Sequence, residues 1–156
     1  MSIAFKQRSA NAIGDLEYVS FYVGDLLIGV DIRQVEEINR QVEATHAPQS
    51  PDWVRGVINL RGNVVTVVDL RTILGVEQSE VTAASRNIVV NFQNEQIGLL
   101  VDRVADVVYA RADEIEPPPA NVSGVDGRFF TGVHKLESEL LVVLDVDAAL
   151  AVDASH

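Results

Sequence analysis

Three histidines, His46, His134 and His156, are the side chains of this sequence that ordinarily titrate near neutrality, which makes them the first candidates for proton transfer or metal ligation. They do not cluster. His46 precedes Ala47-Pro48 in an expected loop, His134 lies near an expected turn and His156 ends the sequence, so each reads as a surface or structural histidine. Carboxylates are the other abundant reactive groups, with 23 Asp and Glu. Two held close together can divide acid and base roles. Here Asp31, Asp69, Asp102 and Asp145 each precede a short segment, where an aspartate accepts the free amide hydrogens of a helix's first turn. Asp113, Glu114 and Glu116 read as a solvated loop. The sequence has no cysteine, which removes thiolate nucleophiles, thiolate metal sites and disulfides, and fits a reducing, cytoplasmic setting. It also lacks phosphate-loop, dinucleotide, H-E-x-x-H, calcium-loop and G-x-S-x-G patterns. No catalytic residue, metal ligand or cofactor is expected. A small enzyme or ligand-binding barrel built on acidic groups with His46 or His134 is the alternative.

One basic residue stands apart. Arg61 lies in Asn59-Leu60-Arg61-Gly62-Asn63, at the tip of an expected hairpin, and its fork of donors suits a carboxylate or a backbone carbonyl. Two readings are open: a contact to a partner, or an ion pair that ties down its own loop. After Asp31, the spacing of Ile32, Val35, Ile38 and Val42 predicts a short amphipathic helix. Its stripe is either core or one wall of an apolar cleft, flanked by Glu37 and Arg61, that takes a partner's helix. Trp53 either seals a barrel or anchors a contact.

The elements that must position these groups are mostly strands. Short Val/Ile/Leu runs such as Val64–Val68 and Ile88–Phe92 alternate with turn chemistry at Gly24-Asp25, Arg61-Gly62-Asn63, Gln93-Asn94-Glu95 and Gly124–Gly127. Asp69–Leu74 and Asp145–Leu150 predict short helices, and Asp102–Val108 is helix or strand. With 156 residues, 47% hydrophobic, the chain can bury a core in one compact domain. Its formal net charge of −11 repels nucleic acid and anionic lipid surfaces. No apolar run is long enough to span a membrane.

The sequence also repeats itself. Ile28–Val35 with Ile38 matches Ile97–Val104 with Val107 at a shift of 69, and Gly56–Leu74 matches Gly132–Leu150 at a shift of 76. The change of shift places an insertion around Pro117-Pro118-Pro119 and Gly124–Gly127. We therefore expect a mostly β fold of two five-stranded barrels from an internal duplication, with a few short helices. Residues 1–16 and 151–156 are expected to be tails. The halves are expected at about 17–80 and 85–150, with strands open to exchange between them.

Gly29-Val30-Asp31-Ile32-x-x-Val35-x-Glu37-Ile38, Pro48-x-x-Pro51-x-x-Val54-x-Gly56-Val57-Ile58-Asn59-Leu60-Arg61-Gly62, Val67-Val68-Asp69-Leu70 and Gly98-Leu99-Leu100-Val101-Asp102-x-Val104 resemble the CheW-type coupling domain from about Glu17 to Leu150. The resemblance implies two SH3-like five-stranded barrels and no catalytic activity. It further implies a cytoplasmic adaptor that joins the tips of methyl-accepting chemoreceptors to the regulatory domain of a CheA-type histidine kinase. By position it implies partner contacts at Val35, Glu37, Ile38, Arg61 and, more weakly, Val107. Gly29, Asp31, Gly56, Gly62, Asp69, Gly98 and Asp102 are expected to shape turns or caps. The sequence departs from the family pattern at Thr66, where a proline commonly follows the hairpin, and at His46-Ala47, where an apolar residue commonly precedes Pro48. Those departures leave open an adaptor of another kinase pathway, such as motility or development.

Overall fold

The structure, a computed structural model, describes residues 15–46, 48–77 and 80–151. Of the expected tails, only Asp15, Leu16 and Ala151 fall within the described residues. Strand β1 (Asp15–Val23) turns at Gly24, φ +58°, into β2 (Leu26–Asp31). The Asp31 side chain then accepts the Arg33 amide and opens one 3-10 turn, Ile32–Gln34. Strand β3 (Val35–Asn39) follows, in place of the expected helix. The misleading signal has a local cause. A bulge between Val35 and Glu37 inserts a residue, so that Val35 and Ile38, three apart, both reach the same apolar core and imitate helical spacing.

Strands β4 (Val54–Leu60) and β5 (Asn63–Asp69) form a hairpin whose two tip residues, Arg61 and Gly62, both have positive φ, +50° and +87°. That is the backbone a two-residue turn needs to follow the twist of its strands. Asp69 caps α1 (Leu70–Leu74), which Gly75 ends at φ +74°. Strands β6 (Arg86–Phe92) and β7 (Glu95–Val101) turn at Gln93-Asn94, again with positive φ. Residues after Asp102 form β8 (Arg103–Arg111), so this aspartate opens no helix; it accepts the Gly24 amide at 2.7 Å and pairs with Arg71 instead. The insertion is a minimal hairpin of β9 (Asn121–Val122) and β10 (Val125–Asp126), followed by β11 (Phe130–Lys135), β12 (Leu140–Leu144) and α2 (Val146–Leu150), capped by Asp145.

Two five-stranded sheets result, ordered β3-β6-β7-β5-β4 and β8-β1-β2-β12-β11. Their edges are laced together: Thr45 and Val57 exchange backbone bonds of 2.9 and 3.0 Å in the first, Glu116 and Val133 bonds of 2.8 Å in the second. Each sheet closes into a barrel, which hides its edges. Neither barrel is drawn from one half. The β1–β2 hairpin sits beside β12, and the β6–β7 hairpin beside β5, through the two parallel pairings. Gly29 faces Val143 in one and Gly98 faces Val67 in the other. The shift of 69 carries Gly29 to Gly98 and the shift of 76 carries Val67 to Val143, so these are one interaction used twice.

Ile58, Leu60, Val65, Val67, Val89 and Leu100 fill the first barrel; Tyr18, Leu27, Ala110, Leu141 and Val143 fill the second. The largest cluster takes residues from both sheets, Phe21, Ile28, Ile88 and Leu99 among them, and cements the barrels together. Trp53 packs on its margin, the sealing role of the two expected.

Gly29 and Gly98 correct an expectation. Both are mid-strand and shape no turn. Their missing side chain makes room for a cross-strand neighbour, Tyr18 over Gly29 and Asn87 over Gly98. Tyr18 and Asn87 are themselves related by the shift of 69. A methyl on Gly98 would overlap the Asn87 amide oxygen and approach its carbon to 2.8 Å, whereas one on Gly29 meets nothing nearer than the Tyr18 Cβ at 3.1 Å. Asn87 is fully buried and has nowhere to move. Gly98→Ala should therefore destabilise the chain by about 1–3 kcal/mol and Gly29→Ala by less. Asn87→Ser should recover part of the Gly98→Ala loss in urea unfolding; equal costs at the two glycines, or no recovery, would refute this account.

Candidate functional site

A polar assembly joins β3 to the tip of the β4–β5 hairpin. Glu37 lies on β3 with its residue only 4% exposed, and a carboxylate so placed needs partners to offset lost hydration. It has them. Arg61 Nη2 donates to Glu37 Oε1, and Asn39 Nδ2 donates to Glu37 Oε2 at 3.0 Å. The network continues around the hairpin: Asn39 Oδ1 accepts the Gln41 amide at 2.9 Å, Gln41 Nε2 donates to the Asn59 carbonyl at 3.2 Å, and Asn59 Oδ1 accepts the Gly62 amide at 2.9 Å. Because β3 and β4 are the two edges of their sheet, these bonds finish the lacing that Thr45 and Val57 begin.

The ion pair is lopsided. The Glu37 side chain is 5% exposed and that of Arg61 64%. Hydrogen bonding to Glu37, then its charge, hold the Arg61 guanidinium above its usual pKa. One donor nitrogen is spent inward and the rest of the fork faces solvent from a rigid turn. Beside it Val64, across the ladder from Asn59, is 72% exposed. The ion-pair reading of Arg61 is seen directly, with the guanidinium tied to Glu37, and most of that guanidinium is left exposed. Asn39, Gln41 and Asn59 were not singled out from the sequence, although an asparagine two residues after Glu37 in an apolar strand was the available signal.

The other expected contact residues lie elsewhere. Val35 and Ile38 are 7% and 1% exposed, packed in the core shared by the barrels. Val107, the repeat counterpart of Ile38, is half-buried on β8 of the other barrel, opposite Val19. Gly56 and Gly62 do serve the backbone. Gly56 sits at a bulge in β4 with φ +142°, where a side chain would overlap the Thr45 carbonyl, and Gly62 has the left-handed turn conformation. Asp31 and Asp69 cap as expected. Asp69 also holds the buried Arg71, whose Nη2 lies 2.9 Å from it, and Arg71 reaches Asp102 at 3.3 Å.

The residues first considered for chemistry stay apart. His46 is exposed, His134 is buried with Nδ1 3.4 Å from the Glu114 carbonyl, and His156 is outside the described residues. Among the described residues, no three His, Asp or Glu side chains are grouped to hold a metal ion, and no helix is long and apolar enough to cross a membrane.

A family model described as the CheW-like domain matches residues 17–154. The probable chemotaxis protein CheW of Rhizobium etli is 34% identical over 99% of this chain and 99% of its own length. The chemotaxis protein CheW of Rhizobium meliloti is 36% identical over 86% of this chain and 87% of its own. Among solved structures, the scaffolding protein TtCheW from Thermoanaerobacter tengcongensis superposes with a TM-score of 0.78 at 32% identity, covering 83% of this chain and 88% of that one.

Removing Arg61 leaves the buried Glu37 carboxylate without its counter-charge, with the Asn39 amide still bonded to it, which costs more than removing both charges. Arg61→Ala should lower the melting temperature, and adding Glu37→Gln should restore part of it. Thermal unfolding of the single and double variants checks this; a double variant no more stable than Arg61→Ala would show that water already screens the pair.

Proposed function

The chain belongs to the CheW-like domain family, and on that footing we propose that it is a non-catalytic scaffold bridging chemoreceptors to a CheA-type histidine kinase in chemotaxis. The kinase contact is its regulatory domain and the receptor contact is the cytoplasmic tip of a methyl-accepting chemoreceptor, which places the scaffold in the cytoplasm beside membrane-anchored receptors. The observation that carries the reading is the Arg61 hairpin tip. A guanidinium anchored on one side by Glu37 has lost much of its conformational freedom before any partner arrives, so less entropy remains to be lost on binding. Exposed Val64 adds an apolar contact beside the charge, the pairing of anchor types that interface centres favour.

On this proposal the expected contact residues differ in role. Arg61 touches the partner. Glu37 orients Arg61 from beneath, and Val35 and Ile38 fix β3 by filling the core on which it rests. Val107 supplies part of a second wall on the other barrel.

Arg61→Lys separates contact from stability, because an ammonium keeps the charge facing Glu37 but loses the planar fork. It should leave the melting temperature close to the parent while weakening binding to the kinase regulatory domain, the receptor tip or both by about tenfold, a typical effect of losing a central anchor. Isothermal titration against each partner reads the effect, with Arg128→Lys, in the turn after β10, as control. Failure of the parent chain to bind either partner would overturn the proposal, and binding only to a kinase of another pathway would reassign it.

A further inference from the structure

The second barrel has an open mouth that the hairpin site does not use. Tyr18 is buried inside this barrel, with the residue 5% exposed, and it lines a cavity of about 200 Å³ together with Asp31, Gln34, Thr131, Asp145 and Asp147. Among the described residues the Tyr18 hydroxyl has no hydrogen-bond partner, although its ring sits opposite Asp31 across the β1–β2 ladder. That hydroxyl is not sealed from solvent, so at the barrel mouth it is open to a ligand's donor or acceptor.

The lining states the ligand's charge. It carries three carboxylates and no cation. Asp31 is partly spoken for, since Arg33 Nη2 approaches it from outside at 2.7 Å. Burial would raise the Asp31 carboxyl, but the hydrogen bonds and charge of Arg33 outweigh it and hold the group below its usual value. Asp145 spends one oxygen on the Ala148 amide at 3.0 Å, and the Asp147 side chain has no partner among the described residues. Counting Arg33, the mouth keeps a net charge of −2. Burial, then the Asp31 charge, raises the Tyr18 phenol above its usual value, so it enters neutral, able to accept or donate.

Size limits the ligand further. Sites for drug-sized molecules occupy about 300–1,000 Å³, so this cavity takes one side-chain head and not a nucleotide. We infer that the mouth of the second barrel is a pocket for a single guanidinium side chain presented by a protein partner, held by Asp147, Asp145 and Asp31 with the Tyr18 hydroxyl and the Gln34 amide oxygen completing its hydrogen bonds. The coupling role bears only on where that side chain comes from; the pocket and its charge stand without it. Nothing equivalent occupies the first barrel, where the repeat places Asn87 for Tyr18 and Leu100 for Asp31.

The probe is N-acetyl-L-arginine methylamide, titrated into the ¹⁵N-labelled full chain. The expected result is a saturable shift centred on the amides of Gln34, Thr131 and Val146. Tyr18→Phe, which removes only the hydroxyl, and Asp147→Asn, at an exposed position, should each weaken binding by about threefold to tenfold. The norleucine analogue of the probe should shift nothing, and putrescine should bind more weakly than the probe. Non-saturable shifts, shifts spread equally over other acidic surfaces, binding unchanged in Asp147→Asn, or putrescine binding as tightly as the probe would each overturn the inference. None of these readouts needs a kinase or a receptor, so failure of the coupling proposal would be seen separately.

Discussion

Two parallel strand pairings, β2 with β12 and β7 with β5, hold the rest of this molecule in place. Each brings a hairpin from one half of the sequence into the barrel of the other. A parallel pair needs a long connection, since no tight turn can reverse the chain between its strands. Exchange of equivalent hairpins meets that need twice with one geometry. It also makes the halves interdependent. Without β6 and β7, the strands β3, β4 and β5 lose the centre of their sheet, because β3 and β4–β5 lie on opposite sides of the inserted hairpin.

The exchange decides where apolar residues go. Each inserted hairpin has one face toward the barrel it completes and another toward its neighbour, so its strands read as almost continuous apolar runs without clean alternation. The segment Leu26–Val30 is buried throughout. The outer faces, with Phe21, Ile28, Ile88 and Leu99, meet between the barrels and form the largest cluster, so the two barrels share one core. Arg71 adds a polar stitch at the crossing: from α1 it reaches Asp69 at its own helix start and Asp102 at the end of β7, and Asp102 in turn accepts the amide of Gly24 between β1 and β2.

Much of this was legible in the residues. Strand runs, turn dipeptides, the helix-capping aspartates at 69 and 145 and the two matching blocks pointed to a duplicated β fold, and the CheW-like resemblance has the same outline. What the sequence hid was register. The bulge at Val35–Glu37 made β3 look helical, because an inserted residue turns alternation into a spacing of three. Gly29 and Gly98 looked like turn residues because a glycine's usual reason is its backbone, whereas here it is the volume of a cross-strand neighbour. At the candidate site Glu37 and Arg61 were named for their positions, but their ion pair and the Asn39, Gln41 and Asn59 bonds that frame it depend on β3 and β4 meeting as the edges of one closed sheet. Such contacts need three-dimensional closure, which no local pattern encodes.

A duplicated frame gives a simple rule for locating function within it: residues common to both halves build the barrels, and residues found in one half carry what is particular. Gly29 with Gly98, Val67 with Val143, and the Trp53 and Phe129 carbonyls that accept the Asp69 and Asp145 amides all belong to the first class. The Glu37–Arg61 pair belongs to the second, since the shifts carry these positions to Asp106 and Glu137, which cannot pair. So does the Tyr18–Asp31 mouth, whose counterparts are Asn87 and Leu100. The two departures fall on different barrels and differ in sign, an exposed guanidinium on the first and a mouth lined by three carboxylates on the second. On the two proposals above, such a scaffold would meet unlike surfaces with its two ends, and charge would set the direction of assembly.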